Sequence, residues 1–333
     1  MSPIPLLTSA YLAPVHYYTK LISAPFVVEE RSDHYVKQTF RNRCVIATAD
    51  GMQSLTIPVQ GCKELGGDHK TPTREMRIID HNRWRQLHWN ALVAAYERTP
   101  FFEYYADDFA AIYQGEYERL VDFNADLQHL VLRLLDIHPK IVVNEGEYLL
   151  LDAEGRLQEA STSTQATLRF RDELKKQLVA LSEAGDKVGE TSPHASMLPS
   201  WNYQDYREMI RPKLDYRNDS TFHPQTYYQI FSQRHGFLPN LSIVDLLFNM
   251  GPESRIVLRI EEKIGGFEGE VPPFSAFQSA QNGDDVRFML KYVRKKGVNC
   301  CWVEGYEEIG EGCESKKCRI LVERAHAHAR ERG

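Results

Sequence analysis

The chain has 333 residues, enough for two domains or for one large domain with additions. Its 42% hydrophobic and 26% charged residues are those of an ordinary globular protein with a substantial core. A formal net charge of −6 argues against a broad basic face for duplex nucleic acid, while a local pair such as Arg41 with Arg43 can still hold a phosphate.

Residues 4–13 read as a short buried strand, and Pro14 then suits the first turn of a helix over 14–23. Val27 and Val28 suggest a second strand, followed by a polar connector. Residues 43–48 and 53–59 form an expected hairpin with turn chemistry at Asp50-Gly51. Residues 60–73 read as a loop and 75–79 as a further strand. Asp80 or Asn82 is positioned to cap a helix over 83–97, in which Trp84, His88, Leu92 and Tyr96 share one face. Two more helices are expected at 105–114 and 117–136, and a strand at 141–143.

Residues 152–200 change to a Ser, Thr, Glu and Lys-rich composition with a helix at 168–184, and read as an insertion or linker. Residues 201–259 return to aromatic, globular sequence and include an apolar helix over 241–249. The final 260–333 hold four of the six cysteines and read as an atypical tail or extra module. The element order gives an α/β or α+β fold. It has a central mixed sheet with flanking helices, an N-terminal strand–helix unit, a hairpin and a helical middle.

The first seven residues lack a basic region followed by a long apolar run. No segment approaches the roughly 18 apolar residues that span a bilayer. A cytoplasmic protein without a transmembrane segment is therefore expected, with cysteines as free thiols or metal ligands. Cys300, Cys301, Cys313, Cys318, His326 and His328 are zinc-ligand types at poor spacings, so no metal site is assigned.

Four places carry residue types suited to chemistry. His16 follows the first strand, where α/β proteins bind ligands, and is a candidate general acid or base. The bland alternative packs it among Tyr11, Tyr17 and Tyr18. Lys37, Arg41, Asn42 and Arg43 suit an anionic, polar ligand, or else a solvated strand start. His88 sits on an aromatic helix face, where a hydrogen-bonded core role competes with catalysis. Asp245 lies inside an apolar helix, and a buried carboxylate calls for a partner. A cation is the natural partner: Arg43, Lys37 or His88 would make a site, and Arg234 a strut. No Walker loop, dinucleotide fingerprint, Gly-x-Ser-x-Gly elbow or His-Glu-x-x-His is present.

Five blocks together resemble the WbqC-like family. They are Tyr11-Leu12-Ala13-Pro14-Val15-His16-Tyr17-Tyr18, and Lys37 to Arg43 with Leu55-Thr56-Ile57-Pro58-Val59. The others are Trp84, His88, Tyr96 with Pro100-Phe101-Phe102, then Tyr228-Gln229, then residues 241–251. The likeness covers about residues 5–150 and 203–259, and its variant motifs look like the Bacteroides form. It departs at Ser9-Ala10, where the family often has Gln-Pro.

The resemblance implies an accessory enzyme of O-antigen-type surface-polysaccharide biosynthesis. The implied reaction transfers an acyl or aminoacyl group to a nucleotide-linked amino sugar. The candidate catalytic residues are then His16, His88 and Asp245, and the candidate substrate-binding residues Tyr11, Lys37, Asn42, Arg43, Trp84 and Gln229. The expected partner is a nucleotide-linked sugar or similar anionic small molecule; no cofactor is specified. The rival is a non-catalytic scaffold of a polysaccharide-assembly complex. An enzyme gathers its polar groups in one concave pocket, whereas a scaffold exposes an aromatic patch.

Overall fold

The structure, a computed structural model, describes residues 3–61, 71–158, 164–183 and 202–259. The expected tail and its cysteines therefore lie outside the described residues.

Strand β1 (Ile4–Thr8) leads into helix α1 (Val15–Ile22) and strand β2 (Phe26–Glu30). The hairpin follows as β3 (Arg43–Thr48) and β4 (Gly51–Thr56). Helices α2 (Trp84–Tyr96), α3 (Phe102–Gln114) and α4 (Leu120–Leu134) come next. Then come β5 (Lys140–Asn144), α5 (Gln165–Glu183) and β6 (Tyr203–Asp205). The last elements are α6 (Ser232–His235), α7 (Ile243–Met250) and α8 (Ser254–Arg259).

The α/β class holds. The main sheet is parallel, in the order β5-β2-β1-β6, and the antiparallel hairpin is a separate sheet. The chain builds outward from β1 through β2 to β5, then returns to place β6 on the other side of β1. The strand order thus reverses between β1 and β6, and such a switch point opens a crevice beyond the carboxyl ends of the strands.

Both faces of the sheet are covered, which explains why β1 and β2 read as continuous rather than alternating apolar runs. Ile4, Leu6, Phe26, Val28 and Val142 pack on one face against Phe170, Leu174 and Leu178 of α5. The segment that composition marked as an insertion therefore supplies a covering helix between β5 and β6. Leu7 and Val27 turn to the other face and join the larger core with α1, α4 and α7.

Local chemistry accounts for several departures from expectation. The hairpin turn falls on Ala49-Asp50, with Gly51 already paired to Thr48 at φ +110°, where a side chain would be strained. Residues 75–79 form no strand; a 3₁₀ turn at Thr73–Glu75 and single bridges at Arg77 and Ile78 stand there. Neither Asp80 nor Asn82 caps α2, because Asn82 and Arg83 both take left-handed backbone and Asp80 receives Arg85 Nε at 3.1 Å instead.

Helix α1 is capped from a distance. Val15 N–H donates to Leu241 O at 2.9 Å and His16 N–H to Asn240 Oδ1 at 3.0 Å. In return Ser242 Oγ donates to Leu12 O at 2.7 Å and Ile243 N–H to Ala13 O at 2.9 Å. The residues preceding α1 and α7 thus satisfy each other's unpaired backbone groups. Among the described residues no helix is long and apolar enough to cross a membrane.

Candidate functional site

The expected site residues fall into several hydrogen-bonded groups. Tyr11 is fully buried; its hydroxyl meets His88 Nδ1 at 2.9 Å and the Tyr113 hydroxyl. The His88 ring lies against Tyr11 and Trp84, and burial pushes its pKa down to about 4. Trp84 is itself buried. All three are buried, and the Trp84 Nε1 has no hydrogen-bond partner among the described residues.

Asn42 is a backbone brace. Its Nδ2 donates to Ile57 O at 2.8 Å, and its own carbonyl receives the Ile57 N–H at 2.8 Å. Arg43 donates from Nε to Thr56 Oγ1 across the hairpin at 3.0 Å, and Lys37 is exposed. The three are not gathered around one position.

Asp245 corrects the expectation of a cationic partner. Its carboxylate accepts the Tyr96 hydroxyl at 2.9 Å, the Tyr227 hydroxyl at 2.8 Å and Gln229 Nε2 at 2.9 Å. Three neutral donors replace the cation, and burial raises its pKa to about 6 against their opposing pull. Gln229 is locked in turn, its Oε1 receiving the Leu238 N–H at 2.9 Å. This cage ties α2, the 227–229 segment and α7 together.

The carboxyl ends of the parallel strands hold further buried charges. Glu30, ending β2, accepts N–H groups from Ser32, Leu149 and Asn144 at 2.7–2.9 Å, and burial pushes its pKa up to about 7. Arg207, just past β6, lies 3.6 Å from Glu30 and grips Asp205 through Nε and Nη2. These groups brace the ends of β2, β5 and β6.

His16 joins a charged trio beside the switch point. Its Nε2 lies 2.7 Å from Asp219 Oδ2, which also receives Lys20 Nζ at 2.9 Å. The i, i+4 spacing puts His16 and Lys20 on one face of α1. The His16 ring stacks on Phe222 at 4.2 Å and meets Tyr206 edge-on. Burial lowers the His16 pKa, and hydrogen bonds from His16, Thr221 and Lys20 hold Asp219 well below the usual carboxylate range despite its own burial.

Across the same 206–211 segment lies a second group, which sequence reasoning touched only through Arg41. The Arg41 side chain is 1% exposed and pairs with Asp33 through Nε at 3.0 Å and through Nη2. Thr8, ending β1, donates its hydroxyl to the same Asp33 oxygen at 3.2 Å. Asn124 Nδ2 donates to Arg41 O at 2.8 Å. Glu208 lies 3.6 Å from Arg41 and also pairs with Arg211, so one carboxylate touches both guanidiniums.

This group is unfinished. Among the described residues, six buried side-chain polar atoms have no hydrogen-bond partner, and four of them belong here: Asp33 Oδ1, Arg41 Nη1, Asn124 Oδ1 and Arg211 Nε. Burial and the nearby Arg41 charge lower the Arg211 pKa.

The four-stranded parallel sheet, covered on both faces, defines an α/β protein with buried charges near the point where its strand order reverses. The WbqC-like protein family matches residues 9–183, more than half of the chain, and the chain belongs to that family. The match runs through α5, while the likeness noted at 203–259 lies beyond it. An uncharacterized protein of Mycobacterium tuberculosis, Rv1507c, is 28% identical over 263 residues, covering 78% of this chain and 98% of its own length. No solved structure matches the chain.

Proposed function

We propose that this chain is an enzyme of surface-polysaccharide biosynthesis. It acts on a nucleotide-linked sugar or similar anionic small molecule, bound beyond the carboxyl ends of β1, β2 and β6. The observation that carries the reading is the buried Arg41–Asp33 pair, with open hydrogen-bonding valences at the switch point. Buried polar groups are nearly always satisfied, and groups left open at a strand end suit a polar ligand. Family membership fits this role.

The reaction is transfer of an acyl or aminoacyl group to the amine of the sugar. The amine nitrogen attacks the donor's carbonyl carbon, the donor's leaving group departs with the bonding electrons, and a base removes the surplus amine proton. His16 is that base, oriented by Asp219 and kept neutral near pH 7 by burial. On this reading His88 and Asp245 hold the fold.

The test incubates the full chain with nucleotide-linked amino sugars and acyl or aminoacyl donors and follows the sugar by mass spectrometry. A mass increase equal to the acyl group, lost in His16→Gln, is expected. No product, and no thermal shift with any nucleotide sugar at millimolar concentration, would turn the reading toward a scaffold.

A further inference from the structure

Arg41 and Arg211 together hold more donors than the carboxylates of the described residues use. Arg41 is buried with Nη1 unpartnered among the described residues, and Arg211, 28% exposed, leaves Nε unpartnered. Asp33 is committed to Arg41 and Thr8 through one oxygen. Among the described residues Glu208 alone lies within ion-pair distance of both arginines, and its side chain is 57% exposed. An exposed carboxylate bridging two guanidiniums has the charge and planarity of a bound ligand anion, on a tether.

We propose that Arg41 and Arg211 form a clamp for a phosphoryl oxyanion, and that Glu208 is the built-in anion the ligand displaces. The clamp rests on the reading above for its place in a nucleotide-sugar site, and supplies the residues for the phosphate end. Guanidinium forks match phosphate and carboxylate oxygens alike, so ligand choice comes from competition with Glu208. A free monocarboxylate brings the same charge as Glu208 and must compete with a side chain held close at high effective concentration. The diphosphate of a nucleotide-linked sugar brings two charges, one on each phosphate, and further acceptor oxygens for Arg41 Nη1 and Arg211 Nε. Moving Glu208 into water costs little, because it is already half in water. Asp33 Oδ1, also open, remains an acceptor for a hydroxyl beside the phosphate.

The test is titration calorimetry of the full chain with inorganic phosphate, diphosphate and acetate. Diphosphate should bind more tightly than phosphate, and acetate should give no heat. Arg211→Gln, at a partly exposed site, should weaken diphosphate at least tenfold with the fold intact by circular dichroism. Glu208→Gln should tighten it severalfold, because the competitor loses its charge. Opposite signs for the two variants distinguish a clamp and its competitor from a strut.

If Glu208→Gln weakens binding as much as Arg211→Gln, or if neither phosphate probe binds to either the parent chain or Glu208→Gln, the clamp is overturned. Neither probe contains a sugar. Phosphate binding without turnover of any nucleotide sugar would therefore keep the clamp and remove only the proposed reaction.

Discussion

The Asp245 cage and the Arg41–Asp33 group each bury a carboxylate, and they complete it in opposite ways. Asp245 has no cation beside it among the described residues, yet both oxygens are engaged, by Tyr96 on one and by Tyr227 and Gln229 on the other. Asp33 has a cation in contact and, among the described residues, one oxygen left open, while Arg41 leaves a nitrogen open. Full hydrogen bonding by neutral donors marks a carboxylate that pins helices. An ion pair with spare valences at a strand end marks a place prepared for something else. Burial and charge, the features a sequence suggests, do not separate the two; the count of partners does.

The largest effect should come from breaking the closed region. Asp245→Ala leaves two hydroxyls and an amide without their acceptor and should cost about 4 kcal/mol in urea unfolding. A loss below about 1 kcal/mol would show that the cage contributes little. In the open region, Arg41→Met leaves Asp33 buried and unpaired and should cost about 3 kcal/mol. Adding Asp33→Asn should restore about half of that, because the uncompensated charge is then gone. Purely additive losses would contradict the pairing.

The pH response sharpens the contrast. His88 titrates near 4 in the fold against an ordinary value of 6.5, so its contribution is present above pH 6.5 and lost as pH falls toward 4. That loss amounts to about 3 kcal/mol at most, and His16 acts in the same direction. Glu30 and Asp245, raised to about 7 and about 6, act oppositely: the fold gains from them as pH falls through those values. Urea midpoints of His88→Gln should therefore fall less on acidification than those of the parent chain; equal falls would remove His88 from the account. The smallest effect expected is Arg211→Gln on stability, below about 1 kcal/mol at a partly exposed pair.

The element order and the α/β class were readable because long apolar periodicities survive without knowledge of neighbours. The site was less so. In the run Arg41-Asn42-Arg43 only Arg43 belongs to β3, so strand alternation does not say which of the two arginines turns inward. The structure sends Arg41 inside and leaves Arg43 partly exposed on the hairpin. Asp219 stands 203 residues from His16 and Arg211 stands 170 from Arg41, so no local pattern announces either partnership. One signal was available: Lys20, four residues after His16 in a helix buried almost throughout, requires an anion on that face. The cost of burying the Asp245 carboxylate calls for a partner but does not fix its kind, and neutral tyrosine and glutamine donors meet it here.

The most direct test of the central claim is a crystal structure of the full chain grown with diphosphate. The account predicts diphosphate oxygens between Arg41 and Arg211, with the Glu208 carboxylate turned out to solvent. Glu208 still bridging the two arginines at saturating diphosphate would contradict it.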